Sequence, residues 1–274
     1  MDYSRILDIL NPAALRATRL LAVGCGSGNA QAVAELAKNG IARFELWDHD
    51  ALAPENLVRH LLGRSSLGRN KAEALRDRIL DRNEQAVAHA FASRFEDSPE
   101  FAAALAEPGH KLALCGLDDM NGRFRLNRAC VQTRTPMVLA MVFRRGIGGM
   151  VFRYEPGACG CFNCLYEFAQ ANGLFLDEAD IEPAGRSREE VYGLGLDAFK
   201  KSPGLSIDIG FISLIMARLA LDALVPDTAR LDFPRLSSNL VTFATRPDPA
   251  HGMRKFFDAT HFRLHPQRGC PVCG

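Results

Sequence analysis

Arg19-Leu-Leu-Ala-Val-Gly-Cys-Gly-Ser-Gly28 decides how the rest of the chain reads. Leu20 to Val23 make a short buried strand, and glycines at 24, 26 and 28 follow without a break. Glycine lets the backbone turn tightly and approach an anion. A helix begun directly afterwards offers free N–H groups and the positive end of its dipole. Residues 29–38 have helical character and stop at Asn39-Gly40, so strand, glycine turn and helix stand in the order of a phosphate-binding unit.

Outward from this unit the pattern repeats. Residues 41–48 read as a second strand, 70–81 as a charged amphipathic helix and 111–115 as a buried strand. Residues 121–132 read as a helix, and 136–142 and 150–154 as further strands. Strands alternating with helices predict an α/β, Rossmann-like fold: a mostly parallel sheet with helices on both faces. After Tyr154 the texture changes. Residues 156–205 are rich in Gly, Pro and acidic side chains and read as an irregular insertion carrying a first cysteine pair. Residues 206–224 read as a long apolar helix, interrupted by Arg218 and Asp222, and 237–245 alternate like a strand. Residues 1–274 are therefore expected as one domain, with a core at 19–155, the insertion at 156–205 and a C-terminal helix, strands and cysteine knuckle at 206–274.

Bulk properties narrow the function classes. The chain of 274 residues is 47% hydrophobic and 24% charged with a formal net charge of +1, which implies neither nucleic acid nor an anionic membrane as partner. No run of about 18 apolar residues is present, so no membrane span is expected. Residues 1–10 lack the basic and apolar regions of a signal peptide, and a cytoplasmic location is expected. In that compartment the eight cysteines favour metal ligation over disulfides.

Asp48 falls 24 residues after Gly24, at the end of the second strand, where an acidic side chain meets ribose hydroxyls. On the glycines and Asp48 alone, an NAD-dependent oxidoreductase is the first reading. The following residues point elsewhere. Asp50, Asn56, Arg59 and Lys71 form a polar series that a dinucleotide does not need and a triphosphate does. Asn56 offers hydrogen bonds to phosphate or ribose oxygens, while Arg59 and Lys71 neutralise phosphate charge, one as a planar fork and one as a point charge. Asp118 lies just past the third strand, where a carboxylate can hold Mg²⁺ bridging ATP phosphates; Asp119 beside it suits a helix N-cap.

Gly24-Cys-Gly-Ser-Gly28, Asp48-x-Asp50, Asn56-Leu-x-Arg59-His60, Gly68-x-x-Lys71-Ala72 and Leu117-Asp118 with Arg123 and Asn127 together resemble the ThiF/MoeB/HesA superfamily, the adenylating core of ubiquitin-activating enzymes. The resemblance implies that Asp48 contacts the ribose, that Asn56, Arg59 and Lys71 contact phosphates, and that Asp118 binds Mg²⁺. It implies ATP as cosubstrate and, as partner, a small ubiquitin-like or sulfur-carrier protein with a C-terminal Gly-Gly tail. A homodimer, or a heterodimer with a related chain, is implied as well. Arg5 resembles an N-terminal arginine that such proteins place in the partner's active site, though it sits closer to the glycine turn. Where the superfamily carries further glycines in the turn, this chain has Ser27 and Asn29.

Cys161-x-x-Cys164 and Cys270-x-x-Cys273 are two chelating turns far apart in sequence, the pattern of a closed four-sulfur zinc site, which the superfamily also carries. Ubiquitin-activating enzymes add a cysteine that takes the activated protein as a thioester. Between Leu165 and Gly269 this chain has none. Adenylation without a thioester on that segment is expected. Cys25, Cys115 and Cys130 read as buried, leaving Cys159 as the remaining thiol. A non-catalytic subunit pairing with an activating chain is the non-enzymatic alternative. The four residues Asp48, Arg59, Lys71 and Asp118 argue against it.

Overall fold

The structure, a computed structural model, describes residues 1–172, 204–249 and 253–274. Eight strands form one sheet: β1 (Arg19–Val23), β2 (Arg43–Trp47), β3 (Val87–Phe91), β4 (Lys111–Cys115), β5 (Met137–Val142), β6 (Gly148–Tyr154), β7 (Leu240–Ala244) and β8 (Asp258–Phe262). Their order is β3-β2-β1-β4-β5-β6-β7-β8. Neighbours from β3 to β5 pair in parallel, and β5 to β8 pair antiparallel. The parallel half is the Rossmann-like part that the strand–helix alternation predicts.

Six helices accompany the sheet among the described residues: α1 (Ser27–Lys38), α2 (Lys71–Arg82), α3 (Pro99–Ala106), α4 (Met120–Gln132), α5 (Phe162–Ala171) and α6 (Ser206–Leu224). Strand periodicity sorts them into two layers. Leu20, Ala22, Phe44, Leu46, Leu112 and Leu114 face α1, α2 and α6, meeting Val33, Leu36, Leu75, Ile212 and Met216. Leu21, Val23, Trp47, Ala113 and Cys115 face the other way, against Phe101, Leu105, Leu126, Phe162 and Leu165 of α3, α4 and α5. β1 and β4 are buried along their whole length, which is why they read as continuous apolar runs.

The chain leaves β1 towards β2 and β3, then returns to β4 on the other side of β1. The carboxyl ends of β1 and β4 therefore flank the point where the connection reverses, the place where such sheets bind ligands. Packing is tight there. Gly24 has φ +80°, and a Cβ on it would lie 2.9 Å from the Gly116 carbonyl.

Three differences from the sequence reading have physical causes. β3 and β8 escape it because neither buries a residue, β8 being almost wholly exposed, and both lack a clean apolar alternation. α3 opens with Pro99 at its first turn and is only eight residues long. Within the segment expected as irregular, Phe162–Ala171 is helical, burying Phe162, Leu165 and Ala169 on one stripe. Residues 173–203 of that segment lie outside the described residues. α6 keeps the expected bounds and serves the core through Ile209, Ile212, Met216 and Leu219, while Leu205, Ile207 and Leu214 stay exposed. Inside it Asp222 is fully buried and pairs with Arg153 of β6 and with Arg230, which tie α6 to the sheet and to the following loop.

Candidate active site

At the carboxyl ends of β1, β2 and β4 a cavity of about 940 Å³ gathers residues from well-separated stretches of sequence. Gly24 and Gly26, Asp48 and Asp50, Asn56, Arg59, Lys71 and Asp118 all line it. Every nucleotide-site residue expected from the sequence thus shares one cavity, although nearly a hundred positions separate Gly24 from Asp118.

The turn itself is held by side chains. Asp48, 8% exposed at the end of β2, accepts the Cys25 N–H at 2.6 Å through Oδ2 and the Asp50 N–H at 2.8 Å through Oδ1. His60 is locked in one tautomer. Its Nδ1 accepts the Leu62 N–H at 3.1 Å, so Nε2 carries the proton and donates to the Cys25 carbonyl at 2.9 Å. Burial holds this imidazole below its usual pKa, despite the favourable bond to Cys25. Asn70 caps α2, accepting from Ala72 and Glu73, and its Nδ2 donates to the carbonyls of Asp48 and Asp50. Sequence reasoning assigned Asn70 no role in the site. An Asn directly before Lys-Ala-Glu was the available N-cap signal.

Lys71, the first residue of α2, places Nζ 2.8 Å from the Asp50 carboxylate. Burial works against the charge on Asp50, but Lys71, with His49 and Arg94, holds its carboxyl below the ordinary range. Asn56 accepts the Ala53 N–H at 3.0 Å, and Arg59 follows one turn later. Asp118 is exposed on the cavity wall, and Asp119 takes the N-cap of α4, accepting the Gly122 N–H at 2.6 Å.

Arg123 and Asn127 work at one remove. Arg123 is buried and donates through Nε to the Leu117 carbonyl at 2.9 Å, fixing the loop that carries Asp118. Asn127 accepts the Phe162 N–H at 2.9 Å and so anchors the start of α5, outside the cavity. Arg5 is exposed and is not among the residues lining this cavity.

Two acidic arrangements compete for a divalent cation. Asp48, His49 and Asp50 bring their ligand atoms within 4.8 Å of one another. Both Asp48 oxygens are already engaged by backbone amides, and Asp50 pairs with Lys71. Asp118 carries no such commitments among the described residues and, as a hard oxygen donor lining the cavity, fits Mg²⁺ better.

The cavity also extends sideways. Ala140, Val142, Phe143, Ile209, Ile212 and Met216 form an apolar arm between β5 and α6, joined by the glycines at 146 and 204. A chain with little side-chain bulk suits such a passage. Sequence reasoning did not find this arm, whose walls come from strand and helix residues that read only as core.

The four cysteines of the two Cys-x-x-Cys turns converge behind the sheet. Their sulfurs lie within 4.8 Å of one another, with Cys161 to Cys270 at 3.8 Å and Cys164 to Cys273 at 3.5 Å. Tetrahedral bonds of about 2.3 Å to zinc put sulfurs roughly 3.8 Å apart, so the cluster fits that ion. Cys25, Cys115, Cys130 and Cys159 are buried, and burial pushes each thiol up, Cys115 to about 11. Cys159 also accepts the Glu155 N–H at 3.1 Å. None has the exposed, low-pKa setting of a nucleophilic thiolate.

A glycine turn at a switch point opens on a cavity lined by two aspartates after β2, the cations Arg59 and Lys71, and a further carboxylate after β4, in an α/β protein. The chain belongs to the ThiF family, whose profile matches residues 5–258. Over 178 residues it is 32% identical to the molybdopterin-synthase adenylyltransferase of Escherichia coli (strain K12), covering 65% of this chain and 70% of that protein. It is 27% identical over 161 residues to the adenylyltransferase and sulfurtransferase MOCS3 of Xenopus laevis, covering 58% of this chain and 35% of that one. Among solved structures, E. coli MccB with succinimide superposes with a TM-score of 0.68 at 16% identity, covering 96% of this chain and 69% of that one, a likeness of fold. No helix among the described residues is long and apolar enough to cross a membrane.

Proposed function

We propose that this protein uses Mg-ATP to adenylate the C-terminal carboxylate of a small ubiquitin-like or sulfur-carrier protein ending in Gly-Gly, releasing pyrophosphate. The observation that carries the reading is the joining of two spaces in one cavity. One is walled by Asp48, Asn56, Arg59, Lys71 and Asp118, and the other is the apolar arm between β5 and α6. Two adenylyltransferases among the relatives support the chemistry.

Asp48 binds the ribose, and the Gly24–Gly26 backbone cradles the α-phosphate. A slender tail enters along the arm with its carboxylate towards the turn. A carboxylate oxygen attacks the α-phosphorus, the bond to the bridging oxygen breaks, and pyrophosphate leaves. A carboxylate is already anionic at neutral pH, so no general base is needed. Arg59 and Lys71 neutralise the charge gathering on the leaving group, and the rate comes from positioning and electrostatics. Asp118 would hold Mg²⁺, which would supply further neutralisation of phosphate charge. The four cysteines would hold a structural zinc, which would link the Cys270–Cys273 turn to α5. A four-thiolate site belongs in a reducing compartment, which supports a cytoplasmic location. The product leaves as an acyl-adenylate, with no thioester on residues 165–269.

The test is thermal melting with Mg-ATP and with NAD, followed by ATP–pyrophosphate exchange. The reading expects a shift with Mg-ATP alone, lost in Asp118→Ala. A shift with NAD alone would return the site to the dinucleotide reading. ATP binding with no exchange, whatever carrier is offered, would favour a non-catalytic partner subunit.

A further inference from the structure

Arg123 is 7% exposed, and through Nε it donates to the Leu117 carbonyl at 2.9 Å, which positions the loop that carries Asp118. Nη1 meets the Met120 sulfur at 3.3 Å. Nη2 makes no hydrogen bond with a described residue. Nor is it among the unpaired polar atoms that are sealed from contact, so it keeps accessible surface, and Arg123 lines the nucleotide cavity. The charge of the side chain is equally unmatched. Its buried counterparts are compensated within the fold: Arg19 pairs with Glu45 and Glu107, Arg153 with Glu155 and Asp222, and Lys111 rests on three carbonyls at the end of α3. Arg123 forms an ion pair with none of the described carboxylates. Asp119, one turn earlier, accepts from Gly122 and approaches Arg125 instead. A buried cation without an opposite charge is costly.

An anion entering the cavity would supply that charge, and packing says which part of the nucleotide meets it. The loop after β4 touches the glycine turn: a Cβ on Gly24 would lie 2.9 Å from the Gly116 carbonyl and 3.3 Å from the Leu117 nitrogen. Arg123 holds the carbonyl of that same Leu117. The guanidinium therefore stands beside the turn on its β4 side, while Arg59 and Lys71 reach the cavity from segments that follow β2, on the other side of β1. We propose that Arg123 Nη2 binds a non-bridging oxygen of the α-phosphate while Nε stays on Leu117. This rests on the adenylation reading and deepens it. Arg59 and Lys71 neutralise the pyrophosphate that leaves. Arg123 neutralises the phosphoryl group that the carboxylate attacks and that remains on the acyl-adenylate, and the nucleotide in turn matches a charge the fold leaves unmatched.

The experiment measures the affinities of adenosine, AMP and Mg-ATP for the full chain by competition against radiolabelled Mg-ATP. The variant is Arg123→Gln, whose Nε2 falls at the place of the arginine Nε. It keeps a donor for Leu117 and removes the cation. In the wild type AMP is expected to bind more tightly than adenosine by about 10–100-fold, the scale of one hydrogen bond to a charged group. In Arg123→Gln that gap closes: AMP and Mg-ATP weaken by the same factor and adenosine is unchanged. Should Arg123→Gln fail to fold, Arg123→Met, which puts an apolar chain in the buried site, carries the same comparison. Equal affinity of the wild type for AMP and adenosine overturns the proposal without any variant. An unchanged gap in the variant overturns it too, whether Mg-ATP alone weakens, which would assign Arg123 to the leaving phosphates, or only the KM of the carboxylate substrate rises. Equal weakening of adenosine and AMP would leave Arg123 a positioning residue only, and also overturns it. If labelled Mg-ATP does not bind the wild type at all, the adenylation reading falls together with this assignment.

Discussion

Lys71 Nζ lies 2.8 Å from Asp50 Oδ2, so a cation proposed for phosphate is paired with a carboxylate of the same cavity. The pair joins the first residue of α2 to the loop after β2 and fixes where Lys71 points. Asp50 carries a lowered pKa, so its contribution to stability is full above the unfolded value of 3.8 and is lost as pH falls below it. NMR titration of the Asp50 carboxyl is expected to show a midpoint below 3.8, moving upward in Lys71→Ala. An unmoved midpoint would mean that the pair does not persist in solution.

Asp118→Asn is expected to leave the melting temperature of the protein without ligand within about a degree, because the side chain is exposed. Pyrophosphate exchange should fall by about 10²–10³, the scale of losing one group aimed at developing charge. A variant that unfolds early would make Asp118 structural.

His60 is buried and neutral, and its Nε2–H holds the Cys25 carbonyl in the glycine turn. Its folded pKa lies below the ordinary value of 6.5, so the unfolded chain binds more protons between the two values. Stability is then full above pH 6.5 and declines as pH drops through the window beneath it. His60→Ala should cost about 1–3 kcal/mol at neutral pH and flatten this acid-side slope in denaturant titrations.

Asp222 is fully buried between Arg153 and Arg230. Asp222→Ala removes the buried carboxylate that both guanidinium groups share, leaving Arg153 with Glu155 and Arg230 with Asp227, and should destabilise the protein by about 3–5 kcal/mol in urea unfolding. A cost below about 1 kcal/mol would show that water reaches the arginines readily.

One zinc per chain is expected by elemental analysis, with none retained in Cys164→Ser. Stripping the metal should lower the melting temperature and raise proteolysis near residue 270, because the two cysteine turns then lose their link. Exchange activity should fall less than stability does, since the cluster lies apart from the nucleotide cavity.

The sequence by itself determined the parallel core. Continuous apolar runs at β1 and β4 have only one comfortable environment, a strand covered on both faces, and a glycine turn between strand and helix marks the phosphate end. Asp48, Asn56, Arg59, Lys71 and Asp118 stood out as candidates because each carries a chemistry that suits a nucleotide, and the fold brings all five to one cavity. The two Cys-x-x-Cys turns were legible because metal ligands keep fixed spacing. Tertiary structure decided the rest. That Asp48 also holds the amides of Cys25 and Asp50 depends on distances that no spacing encodes. His60 and Asn70 act through partners 35 and 22 positions away. The apolar arm exists only because β5 and α6 meet, so its residues carry no local signal beyond hydrophobicity. Asn29 shows the limit most plainly. In sequence it is one residue where a glycine was expected. Only packing of the β1 and β4 ends around it reveals that its amide spans the switch point from the Gly24 to the Leu114 carbonyl and leaves one oxygen without a donor among the described residues, because hydrogen-bond satisfaction is a property of the folded surroundings and not of the residue.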